Sequence, residues 1–448
     1  MRRSLQAALA IVAAMVVGLR AESPRVRDAA VAVRQEHRFT LAEAGEVVAT
    51  ITAGCGQCDW GANGREAVAL RVLLDGRYSQ HLLLVRGEAP APYRIMLGAL
   101  PAGDHRMMLQ RDAVLSGKDA GDFHVQSIAI SAFAANRPEH AWLAQAPILH
   151  ARPGTVERFS DVPVLMWVER ALAPAAGFNY SMIFTHEDGG TPTDRLMATW
   201  GRTTDIEFVF GVEETGDGTV RETFQGASHD ILPFRGAREG RHPLLWVSTD
   251  NNMFSDHGPD AIRFALAPEM VTLTDVSREV VMDANPWTYA LMAAELRRED
   301  RIDPGARPGS AKVPDVRQFA YIEACGEADR ATFAFDVAAG GPAGLDWYAS
   351  DRGDPRFRIA RSGCVRAAVP LGPDTRPEDL RGIRIRAYTR PARDGEAALP
   401  PGKGRVTLRR LNTVFMLDAA YRPRPLPLQW IGVIEAHGEA APVQVPVR

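Results

Sequence analysis

Short runs in which apolar and polar residues alternate, each closed by turn residues, recur along this chain and constrain its fold more than any other feature. A period of two sends successive side chains to opposite faces of a strand, whereas a helix repeats near 3.6. "EAVALRVLLDGRYSQHLLLV" (Glu66 to Val85) alternates around Asp75 and Gly76, which is a hairpin signal. "YRIMLGALPAGDHRMMLQRD" repeats the pattern, with Tyr93, Ile95 and Leu97 on one face and a turn at Pro101 to Asp104, and "FHVQSIAISAF" adds a strand. Residues 24 to 146 therefore read as an antiparallel β-sandwich.

Residues 147 to 312 read as a central β-rich unit, opened by the apolar strand Val162 to Val168 and holding one clear helix over residues 286 to 300. In "NPWTYALMAAELRRED", Asn285 is suited to the N-cap and Pro286 to the first helical position, while Tyr289, Met292, Ala293 and Leu296 share a face. "DPGARPGSAKVPD" then reads as a linker or long loop. From Val316 short strands such as "RQFAYIEAC", "GIRIRAYT" and "LQWIGVIEA" return, spaced as in another sandwich over residues 313 to 448, either separate from the central unit or merged with it. The expectation is an all-β protein of tandem antiparallel β-sandwich modules with one helix of note. At 448 residues the chain exceeds one ordinary core, and its length suggests two to three domains.

The first 23 residues, "MRRSLQAALAIVAAMVVGLRAES", place two arginines before a short apolar run and read as a secretory signal, with cleavage after Gly18 or Ala21. "RRSL" also half matches a twin-arginine signal. No second long apolar run follows, so no transmembrane segment is expected after cleavage, and the protein is placed outside the cell or in a periplasm. Cysteine usage agrees with that compartment. Cys325 and Cys364 lie in strand-like segments and would close a loop of about 40 residues, worth roughly 4 kcal/mol on the chain-entropy model. Cys55 and Cys58 in "GCGQCDWG" lie among glycines before β-rich sequence, not at the opening of a helix, and read as a local structural disulfide. A formal net charge of -3 offers no basic footprint for nucleic acid.

"IFTHEDGGTPTDRLMATWGRTTDIEF" (Ile183 to Phe208) concentrates five carboxylates, a histidine and a tryptophan. If "TTDIEFVFGV" is a strand, Ile206, Phe208, Phe210 and Val212 share its core face, and Asp205, Glu207 and Val209 share the other. Two carboxylates about 7 Å apart at the backbone disfavour joint ionisation, which water, a cation or a shared proton would relieve. Water is the plain reading, since antiparallel sheets commonly show one solvated face. The neighbourhood argues for a site: His186, Glu187, Asp188, His229, His242, Asp250, Asn251, Asn252, Asp256 and His257 cluster at turns between strand-like runs, where loops carry function.

Asp250, Asn252 and Asp256 are oxygen ligands that suit calcium, and His257 adds a nitrogen that favours zinc, so a divalent cation is one expectation. Asp205 and Glu207, with Glu187 as a third carboxyl, form the pair a glycosidase uses, and Trp200 is a sugar-stacking platform. A polysaccharide lyase would draw instead on a base such as His229 or Tyr180 and on Arg202 against a uronate. His186, Asp188, Arg202, His242 and Asn251 complete the expected ligand contacts. Neither a GxSxG elbow nor a phosphate-cradling loop is present. The partner expected is an extracellular glycan or similar polar ligand; the competing class is a structural or adhesive envelope protein whose polar clusters are solvated turns.

"GRTTDIEFVFGV" resembles a strand of two groups of β-sandwich proteins. Necrosis-inducing secreted proteins carry GHRHDWE before a similar apolar strand, and a vacuolar-sorting-associated family carries a comparable DWE strand. Gly201, Asp205 and Glu207 match; Arg202 and Thr204 stand in place of the histidines, and Ile206 in place of the tryptophan. The strand is also similar to the EIDIE core of laminarinase-type glycoside hydrolases, with Asp205 and Glu207 matching and Thr203 at the nucleophile's position. Each resemblance covers about a dozen residues, and together they imply a β-sandwich carrying a polar site.

Overall fold

The computed structural model describes residues 34–171, 176–187, 189–216, 218–259, 261–341 and 344–447; the signal expectation lies outside them. The protein is all-β, built from antiparallel sheets in stacked pairs with few helices. The N-terminal pair uses β1 (Arg34–Leu41), β2 (Gly45–Cys55), β3 (Ala69–Leu74), β4 (Arg77–Leu83), β5 (Ala91–Leu100), β6 (Gly103–Arg111) and β7 (Phe123–Phe133). One sheet has the order β1-β6-β3-β4 and the other β5-β2-β7, with Val47, Ile51, Leu70, Val72, Tyr93, Ile95, Leu97 and Leu109 buried between them. The β3–β4 hairpin turns at Asp75 and Gly76, both at positive φ (50° and 80°), as a tight hairpin turn requires. The second alternating run behaves differently. β5 pairs with β2 and β6 with β1 and β3, so the turn after Leu100 carries the chain from one sheet to the other and does not close a hairpin.

The central sheets follow α1 (Pro138–Leu143) and use β8 (Ile148–His150), β9 (Pro163–Arg170), β10 (Ala176–Phe184), β11 (Asp205–Glu214), β12 (Val220–Gln225), β13 (Ile231–Pro233), β14 (Arg238–Glu239), β15 (His242–Val247), β16 (Phe254–Ser255), β17 (Arg263–Phe264) and β18 (Glu269–Val271), with α2 (Thr193–Trp200) between β10 and β11. The larger sheet runs β13-β12-β11-β10-β9-β18, and the smaller runs β14-β15-β8-β17 with β16 also on β15. Two pairings, β15 with β8 and β18 with β9, are parallel. Met166, Phe184, Phe210, Leu245 and Phe254 fill the space between the two sheets.

The outer face of the larger sheet is covered as well. Trp167, Ile183 and Ile206 pack with Met197 of α2, Met282 of α3 (Val280–Ala284) and Tyr289 and Met292 of α4 (Trp287–Arg298), and through Phe319, Tyr321 and Phe415 against the C-terminal sheets. Those sheets use β19 (Phe319–Asp329), β20 (Ala331–Gly341), β21 (Gly344–Ala349), β22 (Gly363–Pro370), β23 (Leu380–Thr389), β24 (Arg405–Leu417), β25 (Pro423–Pro425), β26 (Trp430–His437) and β27 (Val443–Val445). Their orders are β22-β19-β24-β25, with β26 also on β24, and β21-β20-β23-β27. Both expected disulfides form: Cys325–Cys364 joins directly opposed positions of β19 and β22, and Cys55–Cys58 closes the loop that leaves β2.

Two local expectations are corrected, and a short helix is added. The long helix exists, but Pro286 holds its cap position. Asn285 instead closes α3, donating from Nδ2 to Val281 O (3.1 Å) and accepting from Trp287 Nε1 (3.3 Å). The segment before Gly201 forms α2, which ends where Gly201 turns to φ 65° and donates to Met197 O. On β11 a bulge at Val209, where Tyr180 faces Phe210 and Ser181 faces Phe208, breaks the alternation. Ile206 therefore points to the helices, while Phe210 and Val212 point to the smaller sheet alongside Val209.

Candidate functional site

The bulge decides where the carboxylates go. Asp205 and Glu207 precede it on β11 and share the face of Val209, which is turned toward the smaller sheet and away from solvent. β11 is interior to a six-stranded sheet with helices on one side and strands on the other, so the expected wet face does not exist. Asp205 is 3 % exposed and Glu207 8 %.

Antiparallel pairing brings the neighbouring turns to the same end. β10 ends opposite Asp205, so the chain leaving it places Glu187 there, and β12 ends at Gln225, which leads into the turn that carries His229. α2 contributes Leu196 and Trp200, the turn after β15 contributes Asn251, and the segment before α3 contributes Arg278. With Thr191 and Arg202 these residues line one polar cavity of about 280 Å³.

The hydrogen bonds within the cavity are directional. Gln225 Nε2 donates to Glu207 Oε2 (2.9 Å) and lies 3.0 Å from His229 Nδ1; Asn251 Nδ2 lies 3.1 Å from His229 Nε2. Both neighbours are amide nitrogens, which donate, and a neutral imidazole accepts at one nitrogen only, so one of these contacts orients the ring, on a residue held at φ 60°. Asn252, fully buried and also left-handed (φ 51°), donates from Nδ2 to Asp205 Oδ2 and to His186 O, both at 2.9 Å. Arg202 Nη1 lies 3.7 Å from Asp205 Oδ1 and also bonds Thr204 O, while Arg202 Nε donates to Glu279 Oε1 at 3.2 Å. Thr191 N donates to Glu187 Oε1 at 3.1 Å.

These surroundings shift the acids in different directions. Burial pushes the Glu207 carboxyl up to about 8, and the Asp205 charge adds to the rise. Burial, again with Asp205, pushes Glu187 up to about 7. Burial opposes ionisation of Glu279 too, but the guanidiniums of Arg202, Arg278 and Arg361 overcome it and hold that carboxyl down at about 2. The cavity therefore contains two carboxylic acids that keep their protons near neutral pH, the property expected of groups that donate protons or hydrogen bonds to a ligand.

Of the residues singled out in the sequence, Glu187, Asp205, Glu207, His229, Trp200, Arg202 and Asn251 meet in this cavity. The others do not line it. His242 sits 2.9 Å from Ala146 O and 3.2 Å from Glu46 Oε2, joining the central strands to β2. The buried His186 ring lies 3.9 Å from Glu299, and its backbone carbonyl serves the site through Asn252. Asp188 lies outside the described residues. Asp250 accepts from Gly189 N through its backbone oxygen, and Asp256 accepts from Arg235 N and meets the exposed His257 ring at 2.9 Å. Among the described residues no group of three or more His, Cys, Asp or Glu side chains is arranged to hold a metal ion, so Asp250, Asp256 and His257 form no such set, and Asn252 is committed to Asp205. Gln225, Arg278 and Thr191 were missed. Gln225 had one signal, its place at a strand end four residues before His229.

No known protein family and no curated protein matches the chain. Among solved structures, the C-terminal domain of EclA, a sugar-binding protein, is similar over 24 % of this chain and 87 % of its own length, at 17 % identity and a TM-score of 0.17. A TM-score that low carries no argument, and the site rests on its own geometry.

Proposed function

We propose that this is an exported protein whose central cavity binds one sugar unit of an extracellular glycan. The observation that carries the reading is the meeting of an indole, Trp200, with two proton-holding acids, Glu187 and Glu207, and the oriented His229 and Asn251 in one cavity. Sugars offer an apolar ring face and a fringe of hydroxyls, which suit an aromatic platform beside groups that both donate and accept hydrogen bonds. At about 280 Å³ the cavity lies at the lower edge of the roughly 300–1,000 Å³ usual for small-molecule sites, so it suits a chain end or a single unit more than a long stretch of polymer. Two disulfides support export, and no described helix is long and apolar enough to cross a membrane.

The same acids give the site a capacity for acid catalysis, with Glu207 as the proton donor. A glycan array probed with the wild type and with Trp200→Ala tests the binding reading, and incubation of the bound glycans with the protein tests for cleavage. Selective binding that Trp200→Ala removes supports the proposal. Absence of any glycan signal would favour the structural or adhesive class.

A further inference from the structure

We propose that the sugar unit received by this cavity carries one negative charge, and that the Arg278 guanidinium reads it. The inference rests on the glycan reading above and adds the chemical class of the ligand. Arg278 lines the cavity, yet its side chain makes no hydrogen bond or ion pair among the described residues. The neighbouring guanidiniums are committed. Arg202 bonds Glu279 and Thr204 O, and Arg361 donates to Thr199 O at 2.6 Å and lies 4.9 Å from the centre of the Trp200 ring.

The backbone around Arg278 is clamped on both sides. Ser277 donates from N and Oγ to the buried Glu323 carboxylate, the latter at 2.7 Å, which Arg366 also grips at 2.8 Å; Glu279 is held by Arg202 at 3.2 Å. A fixed backbone presenting to a cavity a guanidinium whose N–H donors are unused is preorganised for a carboxylate or sulfate, whose geometry matches the fork of donors.

The charges facing the cavity agree. Asp205 on β11 is met by Arg202, and Glu279 by Arg202, Arg278 and Arg361, so three guanidiniums face two carboxylates and one positive charge is in surplus while Glu187, after β10, and Glu207, on β11, hold their protons. His229, from the turn after β12, is the remaining titratable group at the cavity. As pH rises through about 7 to 8 the two glutamates ionise and the surplus reverses, so an anionic ligand is held in weakly acidic solution and released in alkaline solution.

The test titrates glucuronic acid, a sulfated hexose and glucose into the full chain at pH 6 and pH 9, with the wild type, Arg278→Gln and Arg278→Lys. A charge-assisted contact predicts that at least one anionic sugar binds roughly tenfold or more tighter than glucose at pH 6. That preference is expected to shrink to about twofold in Arg278→Gln, to return in part in Arg278→Lys, and to vanish at pH 9 in the wild type. Whichever anionic sugar binds identifies the acidic group. Glucose binding as tightly as both anionic sugars at pH 6 overturns the charge inference and leaves the glycan reading standing. No binding of any of the three, together with a silent glycan array, overturns both.

Discussion

Replacing Glu207 by glutamine keeps the shape of the side chain and an oxygen for the bond from Gln225, but removes the ionisable carboxyl. In the folded protein that carboxyl is raised from 4.5 to about 8. Below about pH 4.5 both folded and unfolded chains carry its proton, and it contributes no pH dependence. Between about 4.5 and 8 the folded chain keeps a proton that the unfolded chain has released, so stability falls as pH rises; above about 8 the loss is complete. At about 1.4 kcal/mol per pKa unit the full penalty approaches 5 kcal/mol, and water admitted to the cavity reduces this to the order of 2–4 kcal/mol. Urea unfolding of the wild type and Glu207→Gln at pH 5, 7 and 9 reads the difference directly. Glu187 and the buried Glu295, raised to about 7 and 8, contribute with the same sign in both proteins and cancel in the comparison. The variant is predicted to gain on the wild type with each step in pH. Parallel curves from pH 5 to pH 9 would show that Glu207 ionises as an exposed acid does, and would refute the enclosed carboxyl cavity.

Asn252→Ala removes the fully buried amide that holds Asp205 and His186 O and places alanine at φ 51°; a loss of roughly 2–4 kcal/mol in urea unfolding is expected, with ligand binding impaired as Asp205 is freed. Arg366→Met leaves the buried Glu323 and the adjoining Asp283 without their shared cation, and a loss of about 3–5 kcal/mol is expected by the same measurement. Replacing Cys325 and Cys364 by serine opens a link across 39 positions and is expected to cost about 4 kcal/mol, against about 2 kcal/mol for the pair Cys55 and Cys58 three positions apart, so the first double variant melts at the lower temperature.

Much of this site was legible because strand pairing is local in sequence. Glu187, Asp205, Glu207 and His229 fall at the ends of β10, β11 and β12, consecutive antiparallel neighbours whose ends must meet. The spacing of Asp205 and Glu207 placed both on one face, and that much the strand obeys. What the alternation concealed was the bulge at Val209, a single extra residue that changes which apolar side chains share the carboxylates' face. The face expected to be wet is buried because a second sheet covers it, a fact of tertiary packing that one strand cannot announce. His242 and His257 were drawn in by proximity along the chain, but one strand sends His242 toward β2 and a loop leaves His257 in solvent. Arg278 lies more than 70 positions beyond Asp205 and reaches the cavity only because α3 docks on the sheet, so no local pattern marked it. The eight-residue α2 spans about two turns, too few for its periodicity to stand out among turn residues.

The decisive measurement is a crystal structure of the protein soaked with the tightest-binding glycan. A sugar ring is expected in the central cavity, against Trp200 and within hydrogen-bond distance of Glu187, Glu207 and Asn251, with an acidic group at Arg278. A glycan found on another surface, such as the exposed strand that carries Trp347, with the cavity filled by solvent, would contradict it.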